Sequence, residues 1–255
     1  MNVDAVYEGA LIGLERTPAR DALVRRAWAV VSACAGPEPQ KAHAGRGAPG
    51  RIALLSRTRR ALDEADLGPL AVAVVREAGL TGPLALDHPR LRAVFPGSHR
   101  DRNAAPVYAV HRDTWYANPR CQLNWWLALH DTEEARGFDI FVDHFGVAVD
   151  NDSQAFDFEV FRRQWGWQAD GPGAPYPSTI PTPEGRRSSR AYRQGEGLLF
   201  SAAHLHGTRP QDSDRTRWSI DFRVVLLDHH RAGRGAPDPD NRCKGSALPT
   251  YAVYP

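Results

Sequence analysis

The sequence predicts a mainly β domain with helical decoration, a barrel-like core with an interior polar site and helices on its N-terminal side. Three observations carry that expectation. Residues 216–227 begin with strict alternation, Arg217, Ser219, Asp221 and Arg223 against Trp218, Ile220, Phe222 and Val224, which is the period of a strand. Residues 122–129 alternate in the same way, Gln122, Asn124 and Trp126 against Leu123, Trp125, Leu127 and Leu129. The first hundred residues instead space their apolar side chains as helices do, or show no period at all.

In chain order, 21–31 places Leu23, Val24, Ala27, Val30 and Val31 close to helical spacing, and 67–78 does the same before Gly79 stops it. Between them, 36–50 is rich in Gly, Pro and Ala and reads as a mobile surface loop. The first core strand is expected over 107–113, its neighbour over 122–129 and a third over 138–145. A helix with an aromatic stripe is expected over 156–165, and the Pro/Gly-rich stretch 171–189 reads as a loop over the barrel mouth. Residues 195–208 read as a turn, a hydrophobic strand and a histidine-bearing end with His204 and His206, closed by Gly207. There is no internal repeat. The expected organisation is one domain over 1–255: a helical or irregular part (1–105), a β core (106–228) and a C-terminal tail (229–255).

Composition narrows the function classes. A net charge of +2 over 255 residues is too small for a nucleic-acid footprint. No apolar run approaches the ~20 residues that span a bilayer. The N-terminus lacks the basic-then-apolar pattern of a signal peptide, so the expected location is the cytoplasm. Cys34, Cys121 and Cys243 are odd in number and have no CxxC spacing, which fits reduced structural thiols.

The chemistry gathers at two short words. His111 and Asp113 are two apart, so on a strand they share a face. Imidazole and carboxylate are the ligands of the two-His, one-carboxylate facial triad, which holds Fe(II) on one side and leaves the opposite positions open. The missing imidazole can come from His204 or His206, which strand parity alone does not separate. Arg217 is the side chain best suited to grip a carboxylate, because its planar donors match the two oxygens. Asn124 and Gln122 can bind a cosubstrate or satisfy one another. Trp126 lies on the polar face and is the aromatic expected to touch ligand; Arg223 is a second anion clamp for substrate or an ion-pair partner. The acidic stretch Asp139, Asp143, His144, Asp150 and Asp152 reads as an amine-recognising or a solvated segment.

These residues resemble the iron(II)- and 2-oxoglutarate-dependent oxygenases, most closely the phytanoyl-CoA-dioxygenase-like branch. The resemblance lies in His111-Arg112-Asp113, in His206-Gly207, and in Arg217 eleven positions later with Ser219 after it; it covers roughly residues 105 to 228. Arg112 departs from the branch, which often has Gln there. The resemblance implies a double-stranded β-helix (jelly-roll, cupin-like) core. It also implies His111, Asp113 and His206 as iron ligands, with Arg217, helped by Ser219, as anchor for 2-oxoglutarate. With O2 as second cosubstrate, the implied reaction is hydroxylation of an unactivated C–H bond of a small molecule, with succinate and CO2 released. A tailoring role in secondary metabolism is expected. The alternatives are a cupin-like isomerase or hydrolase, or a non-catalytic metabolite-binding barrel.

Overall fold

In the computed structural model, which describes residues 1–101, 104–164 and 176–255, nine strands form two antiparallel sheets. The larger has six strands in the order β1 (Ile12–Leu14), β6 (Gly197–Ser201), β3 (Gln122–Ala128), β8 (Arg217–Leu226), β2 (Leu84–Val94), β9 (Ala252–Tyr254). The smaller has β5 (Arg187–Ser188), β4 (Phe138–Phe141) and β7 (His206–Thr208). The helices are α1 (Val3–Tyr7), α2 (Pro18–Ala35), α3 (Ala48–Glu64), α4 (Gly68–Glu77), α5 (Ala105–Tyr108), α6 (Phe158–Gln164) and α7 (Leu227–Arg231).

The alternation of β8 decides how the layers stack. Trp218, Ile220, Phe222 and Val224 are all buried and belong to one apolar cluster with Leu23 of α2, Leu54 of α3 and Val74 of α4. Each such side chain contributes about 1.5–3 kcal/mol by leaving water. The opposite face of β8, with Arg217, Asp221 and Arg223, looks into a cavity that strands of both sheets line. Helix α2 begins where Thr17 accepts a hydrogen bond from the Arg20 amide and Pro18 occupies the first turn, and it ends at Gly36 with φ +95°.

Four expectations for residues 1–145 need correction. Residues 1–105 are not only helical and irregular: β2 is an eleven-residue strand pairing with both β8 and β9. Its period is broken by Asp87-His88-Pro89. The register with β8 shifts between Asp87 and Arg90, an irregularity that takes Pro89 out of the ladder. Residues 36–50 are not a free loop. The carbonyls of Pro39 and Gln40 accept from the Trp218 indole and the Thr216 amide, and α3 starts at Ala48. Residues 107–113 are not a strand: α5 ends at Tyr108, His111 makes an isolated bridge and Asp113 opens a 3-10 turn to Tyr116. The strand expected over 138–145 stops at Phe141, where a 3-10 turn takes over.

Strands β3 and β8 lie close to where the periodicity puts them, and α2, α4 and α6 fall within or across their expected spans. Trp165 and residues 171–175 lie outside the described residues; 176–189 contains β5.

Candidate metal centre

His111 and His206 face each other across a bridge in which each main-chain amide donates to the other's carbonyl at 2.9 Å. Gly207 makes the approach possible, since a Cβ there would sit 2.9 Å from Val110 Cγ2. Arg112 is extended (φ −106°, ψ 141°), so His111 and Asp113 converge without a continuous strand. Arg112 itself turns away and is wholly buried. It pairs with Asp240 at 3.2 Å and donates to the carbonyls of Ala203, His144 and Val147, bracing the segment between the two ligand residues.

The ligand atoms of His111, Asp113 and His206 all lie within 4.8 Å of one another, the one such group among the described residues. Both imidazoles are set for ligation. His111 Nδ1 donates to the Ala109 carbonyl at 2.8 Å and His206 Nδ1 to the His204 carbonyl at 2.9 Å, which turns both Nε2 lone pairs toward Asp113. His204 is committed elsewhere: its Nδ1 accepts from the Ser201 amide and its Nε2 lies 3.2 Å from the Gly9 carbonyl, with Phe145 against the ring. Burial, with His111 close by, pushes His206 down to about 4, so it is neutral at physiological pH.

Asp113 has two unlike oxygens. Oδ2 accepts from Asn124 at 2.8 Å, Arg223 Nε at 3.1 Å and Gln122 at 3.4 Å. Oδ1 is buried with no hydrogen-bond partner among the described residues and lies 3.5 Å from His111 Nε2. Burial alone would raise this carboxyl; Arg223 and the two imidazoles hold it well below the usual range. A buried carboxylate oxygen without a donor is costly, and a divalent cation between Oδ1 and the two Nε2 atoms relieves that cost. The three residues therefore fit a metal of the type that accepts two imidazoles and one carboxylate.

The other end of the cavity is cationic. Arg217 donates through Nη1 to the carbonyls of Arg136 and Gly137, its Nε has no hydrogen-bond partner, and it has no carboxylate partner among the described residues. Burial pushes it down to about 10. Trp126 lies with its ring centroid 5.9 Å from the Arg217 guanidinium, inside an aromatic group with Phe138 and Tyr192. Ser219 is fully buried on the same face and its Oγ is likewise without a partner. The cavity between the two ends is about 150 Å³ and runs from His111, Asp113 and His206 to Arg217.

For Gln122, Asn124 and Arg223 the structure shows the second of the two roles expected of each, mutual satisfaction for the amides and ion pairing for the arginine. Gln122 donates to Asn124 Oδ1 at 2.9 Å, and both amides reach Asp113, so these side chains support the ligand carboxylate. Arg223 bridges Asp113 and Asp87, donating to the latter at 2.9 Å. Asp139 and Asp143 are engaged by Arg209 at 2.6 Å and Arg186 at 2.8 Å, which leaves neither free for an amine. Sequence reasoning missed Asp87, Asp240 and Tyr251. An acid interrupting an apolar strand was a signal for Asp87, whereas nothing local marks the other two.

No family model matches the chain, and no curated protein matches it in sequence. Similar solved structures include the non-haem monooxygenase ThoJ (TM-score 0.49, 12% identity, 88% of this chain and 77% of that one). The epimerase SnoN in complex with Fe3+, alpha ketoglutarate and nogalamycin RO gives 0.48 and 14% over 98% of each chain. The non-haem alpha ketoglutarate dependent carbocyclase SnoK from nogalamycin biosynthesis gives 0.44 and 15%, over 99% of this chain and 95% of that one. These structural neighbours are non-haem enzymes, two of them alpha-ketoglutarate-dependent or bound to that compound. At such identities and scores, what this chain's site can do rests on its own geometry.

Proposed function

We propose that the chain is an Fe(II)- and 2-oxoglutarate-dependent oxygenase of a small molecule, its two sheets forming the faces of a double-stranded β-helix within one domain over 1–255. One observation carries the reading: a single cavity has His111, His206 and the unpartnered Oδ1 of Asp113 at one end and, at the other, a buried guanidinium without an acid among the described residues. The first fits Fe(II), the second a dicarboxylate whose other end reaches the metal.

His111, Asp113 and His206 would hold the iron through Nε2, Oδ1 and Nε2. Arg217 would bind the far carboxylate of 2-oxoglutarate through Nε and its remaining amine, with the Ser219 hydroxyl beside it. When bound, iron with 2-oxoglutarate and O2 supplies an oxidant able to take hydrogen from an unactivated C–H bond, with succinate and CO2 as coproducts. The chain's own contribution is orientation and exclusion: the Asn124, Gln122 and Arg223 donors keep Oδ2 occupied, and Trp126, Phe138 and Phe200 give the cavity an apolar wall.

Hydroxylation is the proposed outcome within this chemistry. Retention of Asp113 supports it over halogenation, since a halide needs the place of that carboxylate. A cytoplasmic tailoring role in secondary metabolism belongs to the same proposal. The test is anaerobic addition of Fe(II) and 2-oxoglutarate to metal-free protein. A metal-to-ligand charge-transfer band in the visible, absent in Arg217→Met at the same concentrations, is expected. No band with wild-type protein at saturating concentrations overturns the reading.

A further inference from the structure

The C-terminal segment, expected from the sequence to be a tail, runs back along the larger sheet as its edge strand. Strand β9 pairs antiparallel with β2, Ala252 opposite Leu86 and Tyr254 opposite Leu84. Tyr254 packs its hydroxyl against Gly68 at the start of α4, where a Cβ would meet it at 2.6 Å. Docked this way, the segment buries Tyr251 at its entry.

The Tyr251 hydroxyl lies 2.7 Å from Gln122 Oε1 and 2.9 Å from Asn118 Oδ1. Its one proton is shared between two acceptors, and both acceptors lead to the same residue. Asn118 Nδ2 donates to the Asp113 main-chain carbonyl at 2.8 Å, and Gln122 Nε2 donates to Asn124 Oδ1 and to Asp113 Oδ2. Asn124 Oδ1 and Asp113 Oδ2 call for the Gln122 NH2, and the Tyr251 hydroxyl holds the amide in that setting by donating to the oxygen at its other side. A second line reaches the same carboxylate from the strand on which β9 docks: Asp87 of β2 accepts from Arg223, which donates to Asp113 Oδ2.

We propose that Tyr251 is a positioning residue of the metal centre, a latch that orients the Gln122 and Asn118 amides so that Asp113 presents Oδ1 alone to the metal. The C-terminal segment is thereby part of the metal site although it supplies no ligand. The inference rests on the reading of His111, Asp113 and His206 as metal ligands.

Cobalt(II) chloride titrated into the full-length metal-free protein, followed by the visible d–d absorption, tests it. Partners of ligand carboxylates and imidazoles typically change metal affinity 10- to 100-fold. Tyr251→Phe, one bond further out, is expected to weaken cobalt binding by about 10-fold and to shift the d–d envelope, while the ring still fills its site. Gln122→Leu is expected to do the same, and Tyr251→Phe added to it is expected to cost less than it does alone, because the tyrosine acts in part through the Gln122 amide and in part through Asn118. A tyrosine needed only for packing would lower the melting temperature and leave affinity and spectrum as in wild type, which overturns the proposal; so does an additive loss in the double variant. Should Tyr251→Phe not fold, unchanged cobalt binding in Gln122→Leu overturns it alone. Absence of stoichiometric cobalt binding by wild type defeats the metal reading itself and the latch with it, whereas normal wild-type binding with an unaffected variant defeats the latch alone.

Discussion

The two ends of the cavity solve opposite problems. At the Asp113 end, a buried anion is surrounded by donors: Arg223, Asn124 and Gln122 converge on Oδ2, and Arg223 is itself shared with Asp87. At the Arg217 end, a buried cation has carbonyls and the Trp126 ring beside it, and Nε and the nearby Ser219 Oγ have no hydrogen-bond partner among the described residues. Charge balance inside the fold explains the first end; the second is left short of an anion. A group that is satisfied internally holds the site's shape, and a group left unsatisfied identifies where a ligand completes the structure.

The comparison can be broken most decisively at the ligand itself. Asp113→Asn keeps the size and removes the charge; cobalt or iron content and succinate release should fall by more than the 10- to 100-fold that follows loss of a mere supporting partner. Retained metal would mean that Oδ1 is not a ligand. Next come the two arginines as a pair. Arg223→Met should destabilise the metal-free protein by about 3–5 kcal/mol, because it leaves the buried Asp113 carboxylate without its cation, whereas Asp87 keeps Arg90. Arg217→Met should leave stability unchanged or raised, since it deletes an uncompensated buried cation. Denaturant unfolding of the two metal-free variants checks this, and equal losses would erase the distinction between the ends.

Acid should act at the Arg217 end through a buried histidine. His130 Nε2 accepts the Trp218 amide at 3.1 Å, next to Arg217, while its Nδ1 donates to the Asp131 carbonyl. Burial pushes it down to about 4 from an ordinary 6.5. Between those values the unfolded chain binds the proton and the folded chain does not. The stabilisation is thus complete above pH 6.5 and lost as pH falls toward 4, about 3 kcal/mol in all. The protection factor of the Trp218 amide should therefore fall over that interval, in which His206 at the metal end takes up a proton too, while Asp113 stays ionised well below it. His130→Asn, which keeps an acceptor but does not titrate, should reduce the pH dependence of unfolding, the remainder coming from His204 and His206, which burial also pushes down to about 4. The smallest effect expected is on the cosubstrate: Arg217→Met should raise the 2-oxoglutarate concentration for half-saturation about 10- to 100-fold, the worth of a charge-assisted hydrogen bond, with metal content unchanged.

Much of this arrangement was legible along the chain. The alternation of 216–227 put Arg217, Ser219, Asp221 and Arg223 on one face and the aromatic and aliphatic residues on the other, and β8 divides along that line. Strand β2 was not legible, because Asp87-His88-Pro89 interrupts its period and a register shift against β8 repairs it. The segment around His111 was misread for a related reason: two residues on one face suggested a strand, whereas a single extended residue, Arg112, is enough to bring His111 and Asp113 together.

What the sequence alone determined is the inventory: two kinds of ligand at a two-residue spacing, a glycine after the distal histidine, and an arginine on an inward face. Residue type and period are local properties, so they survive without knowledge of the fold. The tertiary structure decided the assignments. His204 and His206 share a strand parity, and they are told apart by the Gly9 carbonyl, 195 residues away in the chain. Arg217 and Arg223 share a face, and they differ because Asp87 and Asp113 reach only one of them. Which oxygen of Asp113 stays bare depends on Asn124, Gln122 and Arg223. Hydrogen-bond saturation is a property of neighbours in space, and no pattern along the chain encodes it.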